Sequence, residues 1–415
     1  MRILLIHQYF LEKDDGGGSR FNEFTRHWAQ EGHKITVIAG MVHYNTGKKR
    51  DKYKGKFTVK ERYSENIDVL RCHVSESYNS SFLGRLWGYF SFVFSSIFAG
   101  VFKINNKYDI IISTSPPLFI GITAYMLSKL KGIPFLFEIR DLWPESAIDT
   151  GVLTNKPLIK LSYWFESFIY KKASLINVLT PAFREKLITN KGVRQSKIIY
   201  IPNAADFSLS DRYLETFDRK KFRENLDIDD CLAVIYVGAH GVANALSQIL
   251  DTASILKGEK VVFLLVGAGM QKIQLIEEAR RRGLTNVKFI DPVPKSEIFK
   301  YILASDIGSS VLKRVDTFKT VYSNKTFDYM SCKKPVLMAI DGVSRKLVED
   351  AECGYYVEPE NPEEFARKIT CYIENPSLLK IHGESGYKYA KKHFDREFLA
   401  GKYLSELKKI NNDVQ

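Results

Sequence analysis

The sequence predicts an α/β chain built from two doubly wound, parallel-sheet domains in tandem, and three observations carry that expectation. Its 415 residues exceed one ordinary domain, while 45% hydrophobic and 26% charged residues suit a globular chain rather than a disordered, collagen-like or multi-span membrane one. Residues 3–39 spell strand, glycine loop, helix and strand in succession, the grammar of a parallel sheet. The same grammar restarts near residue 231.

Ile3 to Ile6 is a short apolar run that reads as the first strand, followed by a polar loop holding Gly16, Gly17, Gly18 and Ser19. Phe21, Phe24, Trp28 and Ala29 recur at helical spacing, Gly32 ends that helix, and Ile35 to Ala39 forms the next strand. Further strands are predicted over 109–113, 134–139, 175–179 and 198–201. Residues 202–230, polar and rich in charges of both signs, are the expected connection between domains. Beyond them Leu232 to Val237 reads as a strand, Gly238 to Gly241 as a tight loop, and 243–256 as a helix with Leu246, Ile249, Leu250 and Ala253 on one face. Val261 to Val266 runs into Gly267-Ala268-Gly269, and strands over 287–290, 307–311 and 335–339 complete the second domain.

Leu86 to Phe102 breaks this pattern: it carries no formal charge, lies between Arg85 and Lys103, and is dense in aromatic residues. Five polar or small interruptions, Ser91, Ser95, Ser96, Gly88 and Gly100, argue against a membrane span. Two readings remain, a helix lying in a membrane interface and a crossover helix buried on the sheet. The charge is also uneven. The chain carries +13 overall, and residues 1–200 hold 29 Lys or Arg against 17 Asp or Glu, so the first half is expected to meet something anionic. Lys48, Lys49, Arg50, Lys52, Lys54 and Lys56 form the densest basic run considered for anionic lipid headgroups. A solvated lysine-rich surface is the plainer alternative. Five scattered cysteines lack the spacing of a disulfide framework or zinc site, and Met1 runs straight into a strand rather than a secretory signal, so a reducing cytoplasmic setting is expected.

In doubly wound domains ligands bind beyond the carboxyl ends of the strands, so a shared ligand is expected in a cleft between the two domains. Gly16 to Ser19 and Gly238 to Gly241 each place free backbone N–H groups where an anion would be favoured, although either loop could be a plain strand-to-helix turn. Neither loop is a Walker motif or a complete dinucleotide fingerprint, which weakens kinase, ATPase and dehydrogenase readings. The sharpest cluster is Ser323-Asn324-Lys325-Thr326-Phe327-Asp328. Ser323 is a good N-cap, and Lys325 and Asp328 share a helix face, suited to an anionic ligand with sugar hydroxyls or to a simple surface ion pair.

Over essentially its whole length the chain resembles the retaining glycosyltransferases of family 4, which have the two-domain GT-B fold. The resemblance is carried by the opening strand and glycine loop, Gly32 to Val37, Pro202-Asn203-Ala204-Ala205-Asp206, Val266-Gly267-Ala268-Gly269, Ala304-Ser305-Asp306-Ile307 and the Ser323 to Met330 block. Thr114-Ser115-Pro116-Pro117 and Arg140-Asp141-Leu142-Trp143-Pro144-Glu145-Ser146 are similar to the bacterial L-fucosamine transferase branch of O-antigen and capsule assembly.

The resemblance implies an acceptor-binding domain over 1–205, with a last helix over about 395–415 packing back on it, and a nucleotide-sugar-binding domain over 206–394. It implies transfer of an N-acetylated 6-deoxyhexose such as N-acetylfucosamine from a nucleotide diphosphate, UDP-linked by expectation, to a polyprenyl-diphosphate-linked glycan. Lys325 is placed for charge developing on the leaving phosphate, and Asp328 falls where the family binds the ribose. Ser323, Asn324, Gly16, Gly17, Gly18, His240, Gly241, Asn244 and Gly267 are the remaining donor-binding candidates. Arg140 and Asp141 stand where many members carry a histidine near the sugar, and Glu138, Trp143 and Glu145 are acceptor-side candidates. Thr320 occupies the place of the first glutamate of the family's acidic pair, and Ala243 and Asn244 replace its usual basic residues, so phosphate binding is expected to rest on Lys325 and helix ends. No metal or other cofactor is expected. The expected setting is the inner face of the cell membrane, reached through the basic run and Leu86 to Phe102. A nucleotide-sugar epimerase of the same fold is the enzymatic alternative. A basic membrane-binding or nucleic-acid-binding protein is the non-enzymatic one, and RNA-binding and zinc-finger signatures are absent.

Overall fold

A computed structural model describes the chain except for residues 14, 16–19, 44–46, 80, 81, 150, 152 and 415, together with the side chains of 78, 79, 82, 83, 85 and 411–414. It divides into two compact units, Met1–Pro202 with Glu397–Gln415, and Asn203–Arg396.

The first unit is built on an eight-stranded sheet. Its strands are β1 (Arg2–Ile6), β2 (Lys34–Gly40), β3 (Thr58–Ser64), β4 (Ile67–Cys72), β5 (Ile110–Ser115), β6 (Phe135–Ile139), β7 (Leu175–Val178) and β8 (Ile198–Tyr200), in the order β3-β4-β2-β1-β5-β6-β7-β8. All neighbours are parallel except β3, which runs antiparallel to β4. Helices cover both faces, which is why the central strands are continuous apolar runs with Ile3 to Ile6 and Ile110 to Ile112 fully buried. The Arg20–Gln30 helix buries Phe21, Phe24 and Trp28 against Tyr403 of the Arg396–Val414 helix, and the Trp28 indole N–H donates to the Ala400 carbonyl at 2.9 Å. The Phe82–Phe102, Ile120–Lys131 and Lys156–Lys172 helices follow β4, β5 and β6. They lie close together: a Cβ on Gly100 would sit 2.4 Å from a Leu127 methyl.

The second unit has a six-stranded, wholly parallel sheet of β9 (Leu232–Val237), β10 (Val261–Val266), β11 (Val287–Ile290), β12 (Ile307–Val311), β13 (Val336–Ala339) and β14 (Gly354–Tyr356), in the order β11-β10-β9-β12-β13-β14. Two apolar cores are built from alternate residues of the strands, one holding Ile235, Leu264 and Val336, the other Val234, Phe263 and Leu337. Residues 202–230 are not a loose connection. They form the Phe207–Thr216 and Arg219–Asn225 helices, capped by the Asp206 and Asp218 carboxylates, and Phe207 is buried in the second unit's core.

The 86–102 segment belongs to a helix over Phe82–Phe102 that is buried along one side and exposed along the other. Phe92, Ser95, Ser96 and Ala99 are buried, whereas Trp87, Phe94, Phe98 and Phe102 are exposed. Among the described residues no helix is long and apolar enough to cross a membrane.

Candidate functional site

In the second unit the candidates gather beyond the carboxyl ends of the adjacent strands β10, β9 and β12. The loops after β9 and β10 are knitted by backbone bonds: Gly238 N–H donates to Val266, His240 N–H to Ala268, and Gln271 N–H to His240, at 2.8–3.0 Å. Gly267 has φ +149°, and a Cβ there would lie 1.9 Å from the Gly238 carbonyl oxygen, so only glycine permits this contact. The expected helix over 243–256 begins later, at Ser247. A 3-10 turn over Val242–Asn244 and the left-handed Ala245, φ +45°, intervene, so Gly241 heads the short turn and not the helix. Asn244 hydrogen-bonds the Tyr236 side chain. The His240 ring is fully buried, with neither nitrogen hydrogen-bonded among the described residues, and burial drives its pKa down to about 4 with Lys272 adding to the shift.

Lys325 lies in the first turn of the Asn324–Ser331 helix. Its alkyl stem passes over Gly238, whose missing Cβ would be 3.3 Å from Lys325 Cε, and its Nζ sits 4.8 Å from the Tyr236 ring centroid. Ser323 stands at the N-cap position but makes no capping bond. Its hydroxyl donates to Ser310 Oγ at 3.3 Å and accepts from Lys325 Nζ at 3.5 Å, so the side chain holds the lysine instead of the helix end. Burial pushes the Lys325 pKa down to about 8, and the Asp328 carboxylate one turn on opposes that shift. Asn324 is exposed, and its side-chain oxygen accepts from Asn203 Nδ2 at 2.6 Å. Tyr236 was not singled out from sequence, and Asn203 entered only as part of the Pro202 to Asp206 motif. The only signal for Tyr236 was an aromatic with a polar tip inside an apolar strand.

In the first unit Gly16, Gly17 and Gly18 lie outside the described residues. Arg140 and Asp141 follow β6 directly. Asp141 is exposed, yet desolvation by the protein around it raises its pKa against the pull of Arg140. Arg140 Nε is buried and lacks a hydrogen-bond partner among the described residues. Glu138, an acceptor-side candidate, ends inside the protein. It is wholly buried, paired with Arg20 Nε at 3.1 Å and accepting from Asn177 Nδ2 at 2.8 Å, because a strand-interior carboxylate beneath the surface needs such partners. Glu145 is tied to Lys191 at 2.6 Å, and Trp143 stands edge-on to Phe119 at 5.6 Å. Nearby, the buried Gln8 amide finds no partner among the described residues, and His7 Nδ1 lies 2.7 Å from Thr114 Oγ1.

The basic run is less basic than it reads. Arg50 pairs with Glu12 and Asp15, Lys52 with Glu12 and Glu61, and Lys54 with Asp51, so three of its six cations are locally neutralised. No group of three or more His, Cys, Asp or Glu able to hold a metal occurs among the described residues.

Two tandem parallel-sheet units, each with loops at its strand carboxyl ends, have the architecture of the GT-B fold. Residues 15–204 match the glycosyl transferase 4-like domain and residues 218–389 the glycosyl transferases group 1 domain; the chain belongs to that glycosyltransferase family. It is 23% identical to the putative colanic acid biosynthesis glycosyl transferase WcaI of Escherichia coli K12, over 98% of this chain and all of the relative. It is 21% identical to the probable glycosyltransferase WbjE of Pseudomonas aeruginosa, over 65% of this chain and 68% of that protein. Among solved structures, sucrose-phosphate synthase from Thermosynechococcus elongatus superposes with a TM-score of 0.74 at 15% identity, covering 99% and 98% of the two chains. Anabaena HepE in complex with UDP-glucose gives 0.71 at 18% identity, covering 99% and 100%.

Proposed function

We propose that this glycosyltransferase is a retaining, metal-independent enzyme of the L-fucosamine transferase type. It moves an N-acetylated 6-deoxyhexose from a UDP-linked donor held by the second unit to a polyprenyl-diphosphate-linked glycan held by the first. Its place is surface-polysaccharide assembly at the inner face of the cell membrane. The observation that carries the reading is Lys325, a cation with one long neutral hydrogen bond and a ring face for company, set over a glycine at a helix start. Such a group is under-neutralised until a diphosphate arrives. HepE is a UDP and UDP-glucose complex, which supports a UDP-linked donor, and WcaI is named for colanic acid biosynthesis, which supports a surface polymer.

In the reaction the bond from the anomeric carbon to the phosphate oxygen breaks and a bond to the acceptor hydroxyl oxygen forms on the same face. The acceptor proton passes to the departing phosphate oxygen. Lys325 Nζ and the Asn324 amide meet the charge that grows on the leaving diphosphate, the largest lever available in such a site. Asp328 accepts from the ribose hydroxyls, and Arg140 and Asp141 orient sugar or acceptor.

The test is a screen of nucleotide sugars for saturable binding, followed by transfer to extracted membrane lipid with the product anomer read by NMR. A UDP-linked N-acetyl-6-deoxyhexose should be transferred with retention and in the presence of chelator. Donor conversion without any acceptor would establish an epimerase instead, and loss of turnover with chelator would end the metal-free reading.

A further inference from the structure

A cavity of about 390 Å³ opens on the first unit among the Phe82–Phe102, Ile120–Lys131 and Lys156–Lys172 helices. Its walls are nearly all apolar, with Tyr89, Phe90, Phe119, Ile122, Leu158 and Phe165 prominent, and its size is that of a small-molecule site. One wall is Trp143, in the loop after β6, packed edge-on against Phe119 in the segment after β5. The cavity therefore touches the carboxyl ends of two adjacent strands, where this class of sheet places ligands. Trp143 is three residues from Arg140, a chain reach of roughly 11 Å at most. The buried Arg140 Nε has no hydrogen-bond partner among the described residues, so a guanidinium with an unsatisfied N–H, beside the Asp141 carboxylate, lies a short chain reach from an apolar hole.

The surface around the cavity fits the same kind of ligand. Trp87, Phe94 and Phe102 on the first helix, Leu130 on the second, and Leu161 and Trp164 on the third are each more than half exposed. Lys156 and Lys160 are exposed one and two turns ahead of Trp164, and residues 151–200 hold nine Lys or Arg against two Asp or Glu. Aromatic side chains flanked by lysines are suited to the headgroup layer of an anionic bilayer.

We infer that this cavity holds the isoprenoid chain of the acceptor, with its anionic phosphate head toward Arg140. The inference rests on the lipid-linked acceptor proposed above. A branched hydrocarbon needs no hydrogen bonds from these walls, its head needs the cation beside them, and the exposed apolar rim lets the chain enter from a bilayer without crossing water.

The test titrates farnesyl phosphate, below its micelle concentration, into the full-length protein by calorimetry, with inorganic phosphate and an anionic single-chain lipid, lysophosphatidylglycerol, as comparators. Saturable binding of farnesyl phosphate that inorganic phosphate does not displace is expected. Ala147→Phe and Ile122→Trp fill the cavity from different walls, and each should weaken that binding by about tenfold or more. Both should still float with phosphatidylcholine–phosphatidylglycerol vesicles, which shows that they are folded and that the rim is intact. Unchanged farnesyl phosphate binding in both variants would overturn the inference. So would lysophosphatidylglycerol binding as tightly, which would make the cavity a site for membrane-lipid acyl chains. Wild-type protein that binds farnesyl phosphate through the cavity but transfers no sugar from any nucleotide would refute the transfer reaction while upholding the isoprenoid site.

Discussion

Replacing Lys325 by methionine should make the protein more stable and nearly inactive. The side chain's pKa falls from 10.5 to about 8 because burial removes water from Nζ faster than its neighbours replace it. Those neighbours are a hydroxyl at 3.5 Å, a ring centroid at 4.8 Å and the partial help of Asp328. At about 1.4 kcal/mol per pKa unit, carrying the charge costs the folded second unit roughly 3 kcal/mol. Methionine keeps the stem over Gly238 and loses a cation–π contact worth about 0.5–1 kcal/mol, so a net gain of about 2 kcal/mol at pH 7 is expected. The folded pKa lies below the unfolded one, so the penalty is complete below pH 8 and fades as pH rises toward 10.5. The wild type should therefore gain stability across that window and Lys325→Met should not. Turnover should fall about 10²–10³-fold, the usual cost of losing one preorganised partner for developing charge. Denaturant melts at pH 7 and pH 10, set beside initial rates with saturating donor, measure both effects. A variant less stable than wild type at pH 7, or one turning over within a few fold of it, would refute the role given to this charge.

Glu138→Gln leaves Arg20 buried without its carboxylate and should cost about 3–5 kcal/mol in denaturant melts of the first unit, with the KM for donor unchanged. Lost turnover at wild-type stability would show instead that Glu138 meets a substrate. Gly267→Ala drives a methyl against the Gly238 carbonyl at φ +149°; a penalty of about 1–3 kcal/mol or more and a raised KM for donor are expected, read by melts and steady-state kinetics. His240, held at about 4 by burial, should make the wild-type second unit lose up to roughly 3 kcal/mol as pH falls from 6.5 to 4, because the unfolded chain binds the proton more readily. His240→Asn should flatten that acid limb in pH-dependent urea melts.

The central strands were legible because both of their faces are covered, which leaves apolar runs such as Val261 to Val266 with nothing to confuse them. The β3–β4 pair was not, since Thr58–Ser64 is an edge strand whose Lys60, Glu61 and Arg62 read as solvent-facing loop. Residues 202–230 misled in the same way: two short helices with charged outer faces look like a linker until Phe207 and the two aspartate caps are seen in place. In the site, Lys325 and Asp328 could be found by their spacing on one helix. Tyr236, Gly238 and Ser310 come from other strands and depend on sheet order. The pairing of Glu138 was not legible because its partner Arg20 is 118 residues away in the chain, and a carboxylate at a strand end looks the same in sequence whether it clamps an arginine or greets a substrate.

Packing also bears on where the first unit would meet an anionic bilayer in the reaction proposed above. Around Lys48 to Lys56, the carboxylates of Glu12, Asp15, Asp51 and Glu61 lie within ion-pair distance, so part of the local field is spent inside the protein. Over residues 151–200 there are only two acids, and Glu166 is buried against Lys191, leaving the exposed Lys156 and Lys160 beside Trp164 and Leu161. Since each basic side chain near an anionic bilayer contributes about 1 kcal/mol, reversing both lysines to glutamate should weaken binding to phosphatidylglycerol vesicles by tenfold or more, and progressively less at high salt. Reversing Arg50 and Lys52 should weaken it less, because their partners already screen them, although those reversals would also disturb the fold around Glu12. Vesicle flotation across a salt series ranks the two pairs directly. If the Arg50 and Lys52 reversal released the protein from vesicles while Lys156→Glu with Lys160→Glu left it bound, the membrane-facing side of the first unit would have to be placed at its β3 edge and not over the helices that enclose the cavity.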